Sequence, residues 1–477
     1  MEHVLDKQWL AATARQVGFI QRATSRIEGD DFVKLLTTEV LALPAISLDG
    51  MCDVLRRINP NADMSPQALS ERINSKGAVD YLKEVLRFAV EENLTMAWER
   101  ISPHLLAPFK RVFLEDSTVM SLHEKLAGKF KGTGGKASKA ALKINFIFDL
   151  KSHAIHELSV TGGNVPDQSR AAHIVEQLEK GDLVIRDLGY FSIKSLAAID
   201  AMEAFYLSRV LKGVGIYLCP EPSATAIDIV EYLDKEFAHQ NMMDLDIHLG
   251  QDKLPCRLVV YRAPEAVVNE RIRKANASAK KKGRQLSDDH KRWLRFTLFV
   301  TNVSRDVWLP DVIGTIYRVR WQIELTFKSW KSLCHIHILK GTRSERIECF
   351  IYGRLIAIVL ITIIYGFCSW YSDNQIQREA CLHKVVEWLK RIERLSKAVR
   401  LCEFDMLLQD LIHDLPKMLC KQKRRRKTTL ELIEAQVPNN GSFCNENHQI
   451  AAWLDAYDQN PPNPPLKKWG PSNLPLL

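Results

Sequence analysis

The sequence predicts a mixed α/β protein with helical regions on either side. Three observations carry this. Short apolar runs of strand length recur between residues 111 and 210, and two of them end in an acid. Helix-like segments alternate with some of these runs, as in an α/β layer. The first hundred residues and the stretch after residue 311 carry apolar residues at helical spacing.

Residues 10–27 carry spaced apolar positions and read as the first helix. Ser65 and Pro66 look like an N-cap followed by proline at the first helical position. Gly77 would then separate that helix from another over 79–90. Two short helices around a Gly-containing turn are compatible with a helix-turn-helix, but a small helical bundle is the preferred reading. From residue 111 the pattern changes. Residues 111–116, 141–150, 154–160, 183–187 and 204–210 read as strands, the first and fourth closing on Asp116 and Asp187. Residues 169–178 and 192–202 read as helices. In such sheets functional groups gather where strands stop and side chains become accessible. Residues 211–310 are less regular, with strands at 257–260 and 294–301 and a basic segment over 271–295, and read as an insertion. Residues 311–371 are helical again. Residues 374–435 are basic and helical, with a cationic run at 421–427, and the Pro-rich tail from residue 460 reads as extended or disordered.

With 477 residues and 46% hydrophobic content the chain can build a large core and several domains. A net charge of +9 is compatible with a polyanionic partner and does not by itself specify one. None of the ten cysteines forms a C-x-x-C pair, which excludes a zinc ribbon and a thioredoxin motif; their scatter predicts reduced thiols in a cytosolic protein. Charge within the first seven residues argues against a signal peptide. Residues 355–372 hold no charge, but Arg354 precedes them and Thr362, Tyr365, Gly366 and Ser369 interrupt them. They read as a buried core helix, with no membrane partner expected.

The richest segment runs from Tyr317 to Lys331. It has no Pro or Gly and should be helical. At ~100° per residue, Arg320, Glu324 and Lys331 fall within about 60° of Tyr317. One carboxylate thus shares a face with two cations and a phenol, while two Trp and a Phe imply a buried opposite side. Spacing alone leaves a solvated, ion-paired face and an active-site face equally open.

Tyr317, two residues, Arg320, three residues, Glu324, six residues, Lys331: this pattern resembles the Tyr-Arg-Glu-Lys signature of bacterial insertion-sequence transposases of the DDE class. The resemblance implies that Glu324 is the third metal-binding carboxylate and that Tyr317, Arg320 and Lys331 contact phosphates at the transposon end. It also implies two upstream acids. Asp116-Ser117-Thr118 resembles the first acidic motif, and Asp187-Leu188-Gly189-Tyr190-Phe191 the second. The intervals are 187 − 116 = 71 and 324 − 187 = 137 positions, and the long second one matches family members with a β-rich domain inserted before the Glu helix. The implied fold is a ribonuclease-H-like catalytic core with a β-rich insertion, plus helical N-terminal and C-terminal regions. The implied cofactor is a pair of Mg²⁺ ions, for which Mn²⁺ can stand in; two hard cations about 3.5–4 Å apart suit phosphodiester chemistry, and hard cations take carboxylate oxygens. Asp116 would bridge the two ions. The implied partners are double-stranded DNA, as transposon ends and as target, and a second copy of the chain on that DNA.

The expected organisation is a DNA-end-binding region at 1–105, core with both Asp at 106–210, insertion at 211–310, core helices with Glu324 at 311–372, a dimerisation region at 373–460 and the tail at 461–477. Expected localisation is the bacterial cytoplasm, at the nucleoid. The Gly- and Lys-rich loop at 128–139, with Lys136 and Lys139, fails the Walker pattern at Phe130 and Ala137; it reads as a hairpin touching phosphate or as a solvated turn. Residues 280–284 and 421–427 read as DNA contacts or solvated surface. Trp308 reads as a core residue, although in related transposases an aromatic there can stack on a flipped base. His335 and His337 beside Cys334 lack a nearby fourth ligand and read as structural. Two alternatives to an active transposase stand: an end-binding repressor that does not cleave, and a nuclease of the same fold without strand transfer.

Overall fold

The structure is a computed structural model that describes residues 3–22, 24–39, 46–96, 104–134, 138–237, 240–391, 394–401, 403–421 and 433. The chain divides into two compact units, one of residues 1–205 and 320–427, the other of 206–319 and 428–477.

The first unit opens with α1 (Lys7–Gln16), α2 (Gly29–Lys34), α3 (Leu48–Ile58), α4 (Pro66–Ile73) and α5 (Lys76–Thr95). Most starts are set locally. The side chains of Asp6, Ser47, Ser65 and Ser75 each accept a backbone N–H of the first turn, and Pro66 stands where the sequence put it. The helix expected over 10–27 stops at Gln16, because Gly18 turns the chain with φ +77°. That turn sets the Phe19 ring 4.6 Å from Phe32 and 5.3 Å from Tyr81. Gly77 is not a separator: it lies in the first turn of α5, where a Cβ would meet the Gly18 carbonyl oxygen at 3.1 Å.

Next come β1 (Val112–Leu122), β2 (Ala140–Asp149) and β3 (Ile155–Gly162), then α6 (Asp167–Arg170), β4 (Leu183–Arg186) and α7 (Ile193–Ala201). The four strands lie in the order β3-β2-β1-β4. The first three form an antiparallel meander and β4 lies parallel to β1. The helix expected over 169–178 is broken after Arg170. The Ala171 carbonyl, which a continuing helix would use, accepts from Ser195 Oγ (2.6 Å) and Arg186 Nη1 (3.3 Å) instead. β1 runs past Asp116 to Leu122, since β2 pairs along its whole length while β4 stops at the Glu115–Arg186 step. Asp116 therefore sits one residue beyond the end of the parallel pair. Register sorts the side chains. Asp116 opposes Phe146 and shares its face; Ser117 opposes Asn145 and shares the other face with Glu115, Lys143 and Ser159.

The second unit contains β5 (Phe205–Arg209), β6 (Ile216–Tyr217), α8 (Ile229–Glu236), β7 (Met242–Leu249), β8 (Leu254–Arg262), α9 (Glu265–Lys281), α10 (Asp288–Trp293), β9 (Phe296–Thr301) and α11 (Ile313–Tyr317). Its strands lie in the order β5-β9-β8-β7-β6, paired antiparallel. The basic segment over 271–295 folds largely as α9 and α10. The buried Arg271 anchors α9 by donating to the Leu294 carbonyl (2.8 Å) and Thr297 Oγ1 (2.7 Å).

At Arg320 the chain re-enters the first unit, followed by α12 (Trp321–Ser332), α13 (Ser344–Tyr371), α14 (Leu382–Lys390), α15 (Arg394–Leu401) and α16 (Phe404–Asp414). The continuous helix expected over 317–331 is interrupted by a 3₁₀ turn at Arg318–Arg320. α12 buries Ile323, Phe327 and Trp330, and the last two rings lie 5.7 and 4.7 Å from Phe146. This docks α12 on the sheet face that carries Asp116. α13 is long and apolar enough to cross a membrane by composition, but 89% of its apolar window is buried within the protein. Gly353 lets it approach Leu36 closely: a Cβ there would lie 2.7 Å from the Leu36 carbonyl oxygen. Its buried Glu348 takes Lys129 and, at 3.7 Å, Lys83 of α5. At the C-terminal end Trp388 Nε1 donates to Asp414 Oδ2 at 2.8 Å, and Lys390 Nζ to the Leu333 carbonyl at 2.8 Å. The basic run after Lys421 and the Pro-rich tail lie outside the described residues.

Because backbone rather than a pliant side chain faces Gly353, Gly353→Ala should destabilise the chain by about 1–3 kcal/mol through overpacking. Chemical denaturation with a lowered midpoint is the expected outcome; an unchanged midpoint would contradict the close approach.

Candidate active site

The three sequence-marked acids come from three different elements. Asp116 is in β1 just where its parallel partner ends. Asp187 follows β4 immediately and opens the 3₁₀ turn Leu188–Tyr190. Glu324 lies in the first turn of α12. One guanidinium reaches all of them. Arg320 Nη1 is 3.6 Å from Asp116 Oδ2, Nε is 3.7 Å from Asp187 Oδ1, and Nη2 donates to Glu324 Oε1 at 2.8 Å. The Arg320 side chain is 7% exposed, and Asp116, Asp187 and Glu324 are 18, 42 and 29% exposed. The acids thus line an opening with the arginine at its floor.

Charge does not balance between Arg320 and the three acids. Three carboxylates meet one guanidinium, an excess of two negative charges when all are ionised. Burial pushes Asp116 up to about 7, and the neighbouring Asp187 and Glu324 add to the rise; Arg320 and the Ser117 N–H, which donates to Asp116 Oδ1 at 2.7 Å, oppose it. Glu115 is also lifted to about 7 by burial, against the fully buried Arg186 3.3 Å away. Among the described residues no three acids, cysteines or histidines stand close enough together to form a finished metal cage. Carboxylate donors with surplus negative charge nevertheless fit hard divalent cations, whose charge would replace that of the guanidinium.

The other marked residues are distributed as follows. Lys331 is in the last turn of α12, two turns from Glu324, and partial burial lowers its ammonium pKa. Lys139 is 77% exposed and pairs with Glu124 at 3.1 Å. Lys136 lies outside the described residues. Tyr317 belongs to the second unit, where its buried ring is 4.9 Å from Phe299. Trp308, also there, is fully buried, and its carbonyl accepts from Arg257 Nη1 at 2.7 Å. A fully enclosed indole offers no face to a base. His335 and His337 are partly buried, with lowered pKa values caused by that burial, and they join no metal-competent cluster among the described residues.

Sequence reasoning missed Asp167. Its Oδ1 accepts from Ser117 Oγ (2.9 Å) and Lys143 Nζ (2.7 Å) behind Asp116. Its Oδ2 is close to Asp187 across Gly189, where a Cβ would lie 3.5 Å from Asp167 Oδ2 and 4.0 Å from Asp187 Oδ2. The signal was present in β2, whose apolar run carries Lys143 and Asn145 at a period of two. Such spacing in a buried strand announces a polar face.

A family model described as a transposase DDE domain matches residues 107–360, just over half the chain and all three acids. The transposase for insertion sequence element IS231E of Bacillus thuringiensis subsp. finitimus is 31% identical over 444 residues, covering 89% of this chain and 92% of that one. The transposase for element IS231D of the same organism is 31% identical over 397 residues, 80% of each chain. The transposase for element IS1151 of Clostridium perfringens is 28% identical over 448 residues, 89% of this chain and 93% of that one. The chain belongs to the DDE transposases of insertion sequences. It is accordingly an enzyme of transposition, acting on DNA.

The raised Asp116 pKa has a consequence for stability. Between the unfolded value of 3.8 and the folded value of about 7 the folded state holds more protons, so this group's contribution to stability falls as pH rises through that window. Asp116→Asn removes the effect. In chelator, the melting temperature of Asp116→Asn relative to the unsubstituted chain should climb from pH 5 to pH 8; a pH-independent difference would contradict the crowded site.

Proposed function

We propose that this transposase cuts DNA at the terminal inverted repeats of its element and transfers the cut strand to target DNA, with Asp116, Asp187 and Glu324 as its metal-holding acids on a ribonuclease-H-like core. The observation that carries the reading is the single Arg320 side chain in reach of all three acids. Support for the core comes from the β1–β2–β3 meander, with β4 parallel to β1, one aspartate on β1 and the other just past the end of β4.

Two Mg²⁺ or Mn²⁺ ions held by these acids would supply activation of the attacking oxygen and stabilisation of the leaving one. The chain's own residues do the rest. Arg320 offers a planar fork suited to the non-bridging oxygens of a phosphate. Lys331 lies on the same side of α12 as Glu324, within ~20° after seven residues, and adds positive charge along the DNA path. Tyr317, Lys136 and Lys139 join that path in this reading; the reach of the exposed Lys139 supports its part. Trp308 would have to leave its core position to stack on a base. Residues 1–105 take end recognition and 373–460 dimerisation. Bringing two ends together calls for two copies of the chain, in the cytoplasm where the element's DNA lies.

Incubating the chain with element-end DNA and Mn²⁺ or Mg²⁺ tests the reaction. Nicked ends and products joined to target are expected. A shifted but never nicked end would mark an end-binding repressor, and nicks without joined products a nuclease. Asp116→Ala, Asp187→Ala and Glu324→Ala should each lower cleavage by more than the ~100-fold that loss of a supporting residue costs at a metal site, while end binding persists. Normal nicking by any one of them removes that acid from the mechanism.

Lys331→Ala should weaken end binding and reduce the salt slope of log affinity by about 1, as expected for one lost phosphate contact. An unchanged slope would exclude Lys331 from the DNA path.

A further inference from the structure

The sheet face opposite Glu324 is polar behind the acids, although most of it is covered. Ser117 lies at its centre. Its backbone N–H donates to Asp116 Oδ1 at 2.7 Å, on the acid's side of the strand. Its hydroxyl, on the other side, donates to Asp167 Oδ1 at 2.9 Å. That carboxylate oxygen is shared with Lys143 Nζ at 2.7 Å, and the Lys143 ammonium, nearly buried, also donates to the Val165 carbonyl at 2.6 Å. Asp167 Oδ2 in turn lies beside Gly189, in the turn that follows Asp187: a Cβ on Gly189 would be 3.5 Å from it. A serine hydroxyl carries one proton. That proton is committed to Asp167. Tyr190 N–H in turn donates to the Asp187 carbonyl at 3.0 Å, closing the turn that carries the second acid.

We propose that Ser117 is a positioning residue of the acidic site, its one hydroxyl linking the strand of Asp116 to the Asp167–Lys143 pair, whose carboxylate stands beside the turn of Asp187. The inference rests on the three-acid reading above. The two aspartates occupy separate elements, and β4 stops pairing with β1 one residue before Asp116, so the ladder does not fix their spacing. The hydroxyl bridges the sheet at that point. Lys143 holds Asp167 as an ion pair, which keeps that fourth carboxylate turned toward Ser117. A hydroxyl that only stabilised the fold would change melting temperature and leave cation affinity untouched; one that spaces the acids would change cation affinity.

The test is Mn²⁺-dependent thermal stabilisation of the full chain without DNA, each variant being compared with its own melting temperature in chelator. Ser117→Ala should raise the Mn²⁺ concentration for half-maximal stabilisation by about tenfold or more, the scale typical of residues that support metal ligands. Ser117→Thr, which restores a hydroxyl, should return it to near the unsubstituted value. Asp167→Ala removes the acceptor of the Ser117 hydroxyl, so it should raise the midpoint too, and it serves if Ser117→Ala does not fold. An unshifted midpoint in Ser117→Ala or in Asp167→Ala, with stabilisation still lost in Asp187→Ala, overturns the positioning role and leaves the three-acid reading standing. No Mn²⁺ stabilisation of the unsubstituted chain overturns both.

Discussion

Three carboxylates gathered in a partly dehydrated opening repel one another, and only positive charge among them makes the arrangement tolerable. Here that charge is the Arg320 guanidinium, within 4 Å of Asp116, Asp187 and Glu324 together. Burial lifts the Asp116 pKa first, the other two acids add to the rise, and the arginine offsets only part of it. A site with surplus negative charge, hard oxygen donors and an open side is suited to divalent cations. In the proposed reaction the arginine would serve two purposes in turn, holding the acids in register and offering its fork to phosphate.

The rest of the first unit places these four side chains. β1 outlasts β4, which leaves Asp116 just past the end of the parallel pair, where a side chain can be reached. Phe146, opposite Asp116 in register, packs against Phe327 and Trp330, so the docking of α12 is set one strand away from the acid it must face. The break at Arg318–Arg320 starts α12 at Trp321, and Arg320 and Glu324 still meet across one turn at 2.8 Å. Behind the sheet, Glu115 with Arg186 and Ser117 with Asp167 form a polar layer.

Motif context carried more of the site than strand position did. Asp149 also closes a strand, yet its oxygens accept the N–H groups of Val112 (2.9 Å) and Ser152 (3.1 Å), as a turn residue's do. Asp182, beside β4, is fully buried against Arg111 at 2.9 Å. Nothing in local pattern separates these from Asp116 and Asp187; the Asp-Ser-Thr, Asp-Leu-Gly-Tyr and Tyr-Arg-Glu-Lys contexts do. The strands were legible because their apolar runs are short and bounded, and the charge-free stretch in α13 because a helix apolar all round needs burial. Less legible were features decided by distant partners: the extension of β1, which depends on β2, the break after Arg170, which depends on Ser195 and Arg186, and the Asp167–Lys143 pair. Helix continuity through residues 317–320 failed for a different reason, since periodicity cannot distinguish one 3₁₀ turn from an α turn.

The account stands or falls on the three acids gripping the same cations. Its most direct test replaces Mg²⁺ with Fe²⁺ and adds ascorbate and peroxide, so that hydroxyl radicals made at the bound ion cut the nearby backbone. The expected fragments end close to residues 116, 187 and 324 together, and excess Mg²⁺ suppresses all three cuts. Cuts at only one of these places, or elsewhere in the chain, would contradict a shared site.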